Sequence, residues 1–232
     1  KSLEQFTELL ARHLALNPGY WIPAYEDPWH ALDSESRWPV NLDPHQRDLS
    51  QSAERLALAR QLRQGLQSVV GYVLPLKADE NSRQWRSSRW PLQHPRLYLL
   101  PGDSPLGLRL PLSSLPWVAA DDVELELPLD PFADREPLSQ LKTAKKQAKP
   151  EAIEQAPKPQ DVIHTALTLE VREGYLYVFM PPLNRLEDWL RLVAALEATA
   201  AKLKQPLRLE GYPPPRDPRL KSLSVTPDPG VI

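Results

Sequence analysis

Residues 166–182, "ALTLEVREGYLYVFMPP", predict a β-hairpin, and this hairpin decides the fold. Apolar and polar residues alternate through its first half, which is the period of a strand with two different faces. The apolar face comprises Leu167, Leu169 and Val171, and the polar face comprises Thr168, Glu170 and Arg172. Glu173-Gly174 is a two-residue turn sequence, and residues 175–180 return as the second strand.

A helix and another strand follow the hairpin. Asn184 is predicted to cap the helix, with Glu187 in the capping-box position. The buried stripe of this helix is predicted to comprise Leu186, Trp189, Leu190, Val193, Leu196, Ala200 and Leu203. Residues 207–210, "LRLE", predict the next strand. This order is typical of an α+β fold, a mostly antiparallel sheet with helices packed on one face. The polar face of the first strand then lies open to a ligand or another domain, or simply to water.

The region before this unit is rich in tryptophan and proline, and it predicts helices and short strands. Apolar spacing predicts an amphipathic helix over residues 2–16 and a second helix over residues 50–68. Runs of β-branched and aromatic residues, bounded by glycine or proline, predict strands at 69–76 and 96–100. Residues 123–129, "VELELPL", alternate and predict a strand at a sheet edge, because the proline in it cannot donate to a ladder.

The composition changes near residue 131. Residues 133–160 are rich in Lys, Glu, Gln, Ala and Pro, so the burial of apolar groups cannot offset the entropy of ordering them. We therefore divide the chain into an N-terminal α+β region at 1–130, a linker or mobile excursion at 131–160, and the hairpin unit at 161–232. An alternative is that the lysines of the linker bind a partner.

The two ends of the chain indicate that it is an internal fragment of a larger protein. A helix pattern begins within two residues of Lys1. The last residues, "SVTPDPGVI" (224–232), place a proline–glycine turn before two β-branched residues. Since this pattern is typical of the beginning of a strand, we expect the sheet to continue.

The overall composition disfavours several classes of protein. The 232 residues carry 28 basic and 30 acidic side chains, a net charge of −2, so neither a nucleic acid nor an anionic membrane is expected as the main partner. No apolar run approaches the roughly 20 residues of a membrane span. Cysteine is absent, which excludes disulfides and a thiol nucleophile within this chain and favours a reducing, cytoplasmic location.

Two motifs each allow two interpretations. Residues 97–117, "LYLLPGDSPLGLRLPLSSLPW", form either a ligand loop, with Arg109 binding a carboxylate or phosphate, or a stiff connector in which Arg109 pairs with Asp103. Residues 24–30, "AYEDPWH", bring Glu26, Asp27 and His30 close together, and these are either metal ligands or turn and cap residues.

The stretch at 210–219, "EGYPPPRDPR", places charged residues after the last predicted strand. Three consecutive prolines form a stiff extended arm, suited to holding charged side chains beside a site or merely to spanning the sheet. The charged residues of this stretch are Glu210, Arg216, Asp217 and Arg219.

Four stretches of the chain resemble a known family. They are "WIPAYEDPWH" (21–30), "VVGYVLPL" (69–76), "LLPGDSPLGLRLPLSSLPW" (99–117) and the run from residue 179 to residue 232. Through them the chain is similar to the bacterial amidoligase domain of unknown function that accompanies transglutaminase-like domains. That family resembles carboxylate–amine ligases of the glutamate–cysteine ligase and glutamine synthetase type.

The resemblance implies an ATP-dependent ligase that joins a carboxylate to an amine through an acyl phosphate. It also implies an antiparallel sheet whose open face carries acidic side chains that hold magnesium and ATP. On this chain the implied candidates are Glu170 and Arg172 for catalysis, Glu170 and Asp228 for the metal, and Glu210, Arg216, Asp228 and Arg109 for the cofactor.

The resemblance also implies that this sequence lacks part of the active site, and it implies particular partners. In the family, the stretch matching "SVTPDPGVI" runs on into a Glu-Val-Asn strand that carries a candidate metal ligand. Since that strand is absent from this sequence, we expect the fragment to be inactive and to hold no bound ATP or magnesium. The implied partners are an N-terminal transglutaminase-like domain of the same polypeptide and a peptide or small carboxylate or amine substrate. The alternative is a non-catalytic scaffold that presents substrate to that domain.

Overall fold

The computed structural model describes residues 2–27, 68–79, 82–118, 135, 137–138, 153, 157–223 and 225. Two α-helices lie within this part of the chain, α1 (Ser2–His13) and α2 (Leu186–Leu203). The strands are β1 (Ile22–Tyr25), β2 (Val69–Pro75), β3 (Lys77–Ala78), β4 (Trp85–Arg86), β5 (Leu97–Tyr98), β6 (Ala166–Arg172), β7 (Tyr175–Met180) and β8 (Leu207–Gly211). In this part of the chain, neither helix is long and apolar enough to cross a membrane.

Six of these strands form one mixed sheet in the order β5-β1-β2-β6-β7-β8, and β3 pairs with β4 separately. The pairs β1–β2, β2–β6 and β6–β7 are antiparallel, whereas β1–β5 and β7–β8 are parallel. The largely antiparallel sheet with helices confirms the predicted α+β class.

The β2–β6 ladder joins the two units that the sequence separates, since β2 precedes residues 131–160 and β6 follows them. Described residues within 131–160 contact the folded body. Arg135 pairs with Asp217, and Ile153 packs against the helix-side core. The boundaries at 130 and 160 stay a prediction, because most of 131–160 lies outside the described residues.

The predicted hairpin is confirmed. Glu173 and Gly174 have φ values of +53° and +82°, so both central residues of the turn lie in the left-handed region, as the favoured two-residue hairpin turn requires. The turn sets Glu170 opposite Tyr177 and Arg172 opposite Tyr175. These pairs determine which side chains share a face.

The helices cover one face of the sheet. Leu167 and Leu169 of β6 are fully buried there, in a cluster with Phe6 and Leu10 of α1 and Leu192 of α2. The helices are also joined to each other, because His13 Nδ1 lies 2.8 Å from Thr199 Oγ1. Val171 was predicted on the same covered face, but its side chain is 49% exposed, although Leu176, its partner across the β6–β7 pair, is buried in the helix-side core.

The predicted start of α2 is wrong by one residue. The helix begins at Leu186, and Arg185, not Asn184, occupies the N-cap position, without a side-chain capping bond. The most buried face is also rotated from the predicted stripe, because Leu192, Ala195 and Thr199 are buried whereas Trp189 is only partly buried.

Other predicted elements are confirmed in shortened form or are not described. The helix predicted at 2–16 ends at His13, and Ala15 just beyond it has a φ of +59°. The strand predicted at 96–100 reduces to β5. The helix predicted at 50–68 and the strand predicted at 123–129 lie outside the described residues, apart from Ser68.

Candidate functional site

The sheet face opposite the helices carries the candidate site. Cross-strand register places Gly71, Glu170, Tyr177 and Arg208 in one row across β2, β6, β7 and β8. Arg172 and Tyr175 form the next row towards the hairpin turn. Charged and aromatic side chains therefore converge where the strands approach the turn.

Arg172 links two carboxylates of this face. Its Nη2 donates a hydrogen bond to Oε2 of Glu210, and its Nε lies 3.5 Å from Oε2 of Glu170. The Nε–H is buried and makes no hydrogen bond of good geometry, so the contact with Glu170 is electrostatic. The three side chains are only 17–30% exposed, so they are partly removed from water. Three of the candidates predicted from the sequence are thus brought together.

The loop after β5 packs directly on this face. The backbone N–H of Leu106 donates to Oε2 of Glu170 over 3.1 Å. The approach requires glycine at position 107, because a Cβ there would lie 2.2 Å from Cδ1 of Phe179. Leu106 is fully buried, and Thr168 is 1% exposed. Among the described residues, the polar face is therefore covered at the Thr168 end and is more exposed at Arg172, whose side chain is 30% exposed.

The partial burial of Glu170 under this loop shifts the pKa of its carboxyl. Burial raises the pKa of its carboxyl, and this is the largest effect. The Leu106 N–H and the charge of Arg172 lower that pKa, Glu210 raises it, and Arg109 lowers it slightly. The net result is a raised pKa, because removal from water disfavours the charged form more than the neighbours favour it.

Arg109 does not pair with Asp103, so that prediction is wrong. It is 92% buried and forms a bidentate pair with Glu26, with Nη1 3.0 Å from Oε1. Its Nε donates to the carbonyl of Leu100 over 2.7 Å. Arg109 therefore anchors the loop to the end of β1, and Glu26 is occupied by this pair. His30 lies outside the described residues.

Only some of the charged side chains predicted near the proline arm (residues 210–219) reach the site. Glu210 reaches Arg172, whereas Arg216 is exposed and Asp228 lies outside the described residues. Asp217 and Arg219 instead turn back to α2, where Arg219 Nη2 lies 2.7 Å from both Glu187 Oε1 and Asp217 Oδ2. Arg135 also bonds to Asp217, whose side chain is 1% exposed.

The pKa values in this network are shifted by the ion pairs. The hydrogen bond from the Arg219 side chain is the largest cause that lowers the pKa of Asp217, against the raising effect of burial, and Asp217 in turn raises the pKa of Arg219. Burial raises the pKa of Glu187 and is the largest effect, but the Arg219 hydrogen bond, the backbone N–H of Glu187 and the charges of Arg219 and Arg185 together lower it. The network fixes the arm against the start of α2.

Sequence reasoning missed three members of the site, Tyr175, Tyr177 and Arg208. The guanidinium carbon of Arg172 lies 3.8 Å from the centroid of the Tyr177 ring, and that of Arg208 lies 3.8 Å from the Tyr175 ring. Alternation along β7 and β8, counted from the hairpin turn, places all three on the face of Glu170 and was the available signal. No periodic pattern predicted the pairing of Glu26 with Arg109, because the two residues lie 83 positions apart.

A cavity of about 940 Å³ lies elsewhere, lined by residues that include Thr165, Arg86, Trp117, Arg185 and Asp188. Thr165 precedes Glu170 by five residues along the chain, which corresponds to about 16 Å of extended strand. Burial raises the pKa of Asp188, against the lowering effect of Arg191, which lies 3.0 Å away. This cavity is separate from the carboxylate–arginine cluster.

The described residues contain no group of three or more His, Cys, Asp or Glu side chains that could hold a metal ion. Fold and site together define an α+β protein with two carboxylates and two arginines on the sheet face away from its helices. The model of the family described as "Putative amidoligase enzyme (DUF2126)" matches residues 1–232, and the chain belongs to this family. No match was found among curated proteins or among solved structures. Membership supports a ligase-like enzyme in general terms.

Proposed function

We propose that this chain carries part of the active site of an ATP-dependent ligase that joins a carboxylate to an amine. The observation that supports the proposal is the Arg172 guanidinium held between Glu170 and Glu210 on the face opposite the helices. Paired acids and an arginine in a partly buried place are the groups that phosphoryl transfer to a carboxylate needs. Sequence membership in an amidoligase family points to the same reaction class.

The side chains present fit a magnesium–nucleotide complex. Magnesium in proteins is commonly held by one or two carboxylates together with substrate phosphates. Within the described part of the chain, Oε1 of Glu170 and Oε1 of Glu210 accept no hydrogen bond, because the contacts with Arg172 and Leu106 use Oε2. Glu170 and Glu210 would hold the metal, and bound ATP would supply the phosphoryl group that activates the substrate carboxylate.

Arg172 has a distinct role in this proposal. With no cation near the two carboxylates, it neutralises both of them. If a cation were held by the two carboxylates, it would weaken their attraction for the guanidinium, and the planar fork of Arg172 would suit phosphoryl oxygens. The Tyr177 ring, whose centroid lies 3.8 Å from the guanidinium carbon, holds Arg172 on this face.

Glu170 must be ionised to hold a cation, yet burial raises its pKa. The Leu106 N–H and Arg172 act against that effect and favour the carboxylate form. The loop at 99–110 therefore has a functional part in the proposal, because it supplies a fixed donor to a metal-binding group.

Further ligands to the metal would come from the substrate phosphates and from side chains outside the described residues. Asp228 is one candidate. An attached transglutaminase-like domain, a peptide or small carboxylate or amine substrate, and a cytoplasmic location are parts of the same proposal.

The test is ATP turnover by the complete gene product. The protein is incubated with magnesium, ATP and pairs of carboxylates and amines, and both ADP and the amide product are measured. ADP release should require both substrates. Glu170→Gln should lower the rate about 10²-fold or more, since it removes a fixed charge beside the reacting groups. Glu197→Gln, at an exposed position of α2, is the matched control.

Two outcomes would contradict the proposal. One is equal activity of the Glu170 and Glu197 variants. The other is an absence of ADP with every pair, which is the result expected of a scaffold that only presents substrate.

The 232-residue chain alone should bind magnesium–ATP weakly or not at all, because the described face supplies two carboxylates only. Calorimetric titration of the chain tests this. A micromolar dissociation constant that Glu170→Gln abolishes would show that these residues already form a complete nucleotide site.

A further inference from the structure

Arg208 is an exposed arginine that is nevertheless held in place. Its guanidinium carbon lies 3.8 Å from the centroid of the Tyr175 ring and 5.6 Å from that of Tyr177. Its Nη1 donates a hydrogen bond to the Tyr177 hydroxyl over 2.8 Å. The side chain is thus ordered by two aromatic neighbours although it faces water.

The surroundings of Arg208 differ from those of Arg172 in one respect. Both guanidiniums lie 3.8 Å from a tyrosine ring, but Arg172 also contacts two carboxylates. Across the described ranges, Arg208 forms no ion pair, and its one hydrogen bond goes to a neutral phenol. Glu210, two residues further along β8, directs Oε2 to Arg172 instead. Within the part of the chain that the structure describes, Arg208 is therefore a positive charge beside the cluster without a direct anionic partner.

We propose that Arg208 binds an oxyanion that arrives from solvent, either a carboxylate or a phosphate. Because Nη1 is engaged by Tyr177, the Nε and Nη2 edge of the guanidinium remains to donate two parallel hydrogen bonds. That edge matches the two oxygens of a carboxylate or a phosphate. Stacking on Tyr175 reduces the rotamer entropy that binding would otherwise cost.

This inference deepens the proposed function and rests on it for the source of the anion. In the ligase, the oxyanion is either a phosphate of the nucleotide or a carboxylate of the substrate that is not the one being joined. In the second case the substrate carries two carboxylates or is a peptide with a free carboxyl terminus. Binding at Arg208 requires neither turnover nor a metal, so it can be tested separately.

The experiment is an NMR titration of the 232-residue chain labelled with ¹³C in its tyrosine rings. Three probes are compared without nucleotide or magnesium: N-acetylglycine, its uncharged amide, and methyl phosphate. The Tyr175 and Tyr177 signals should shift with an anionic probe and not with the amide. Arg208→Gln should weaken that binding about tenfold, the effect expected for loss of a charge-assisted bidentate contact.

Arg96→Gln is the matched control, because Arg96 is also exposed and lies 4.9 Å from a tyrosine ring, that of Tyr25, outside the cluster. It should leave the dissociation constants unchanged. A response to N-acetylglycine alone assigns the site to a substrate carboxylate, and a response to methyl phosphate alone assigns it to the nucleotide. Equal shifts with the amide, or equal losses in both arginine variants, overturn the inference. A failure of the ligase assay with intact probe binding would overturn the proposed function only.

Discussion

The backbone N–H of Leu106 donates a hydrogen bond to the Glu170 carboxylate over 3.1 Å, although the two residues lie 64 positions apart. The bond joins a proline-framed loop to the central strand of the candidate site. It makes the loop part of the electrostatics of Glu170, because an N–H donor stabilises the ionised carboxyl. Four predictions test this arrangement and the fold that supports it.

Gly107→Ala should lift the loop from the sheet. The new Cβ would lie 2.2 Å from Cδ1 and 2.3 Å from Cγ of Phe179, so either the ring or the loop must move. We expect the free energy of unfolding to fall by about 1–3 kcal/mol, as for other overpacked sites. Urea denaturation measures the change. Leu108→Ala, at a neighbouring side chain that is 60% exposed, is the control and should change stability by about 0.5 kcal/mol at most.

Arg172→Gln should raise the pKa of Glu170 further. That pKa is already raised by burial, and the positive charge of Arg172 opposes the rise. Since a raised pKa favours the protonated form in the folded state, the variant should lose stability as the pH rises through the folded pKa of Glu170, more so than the native chain. NMR titration of ¹³C-labelled glutamate carboxyls gives the pKa directly. An unchanged or lowered pKa would show that Arg172 does not act on this carboxyl.

Asp217→Asn should destabilise the protein most at neutral pH. Its ion pairs lower the pKa of Asp217 below the usual value near 3.8, so their stabilising contribution is present above that value and is lost as the pH falls towards the folded pKa. We expect a clear loss of stability near neutral pH, because the variant leaves Arg219 and Arg135 without the carboxylate that they share. Unfolding measured at about pH 6 and about pH 3 should show a smaller difference between variant and native chain at the lower pH. Asp161→Asn, at an exposed aspartate, should show no such dependence.

Leu192→Ala should destabilise the chain more than Trp189→Ala. Leu192 is fully buried between α2 and the sheet, whereas Trp189 is partly buried and its indole N–H makes no hydrogen bond among the described residues. Truncation of a buried leucine costs about 2–5 kcal/mol, and Trp189 should fall below the about 3–5 kcal/mol of a fully buried tryptophan. Chemical denaturation of both variants tests the order, and the reverse order would place the centre of the core at Trp189.

The hairpin and the faces of its strands were predictable from sequence, because they depend on local rules. A period of two and a two-residue turn are sufficient to set Glu170 and Arg172 on one face, opposite Leu167 and Leu169. The start of α2 was less predictable, because asparagine is a preferred cap residue whereas the observed cap, Arg185, lies one position later and makes no side-chain capping bond. The family was also recognisable from four short stretches, and the family match confirms it.

The residues of the site were partly predictable from the sequence, but their contacts were not. Glu170, Arg172 and Glu210 were chosen by residue type and strand face, but their contact depends on the β6–β7–β8 register, which brings strands separated by a helix side by side. The Glu26–Arg109 pair spans 83 positions and the Leu106–Glu170 bond spans 64. Such contacts leave no periodic signal, because the partners are selected by the path of the chain in space. Local alternation therefore determined which residues face the site, and only the tertiary structure decided which charges neutralise one another and which guanidinium remains without an acidic partner in the described part of the chain.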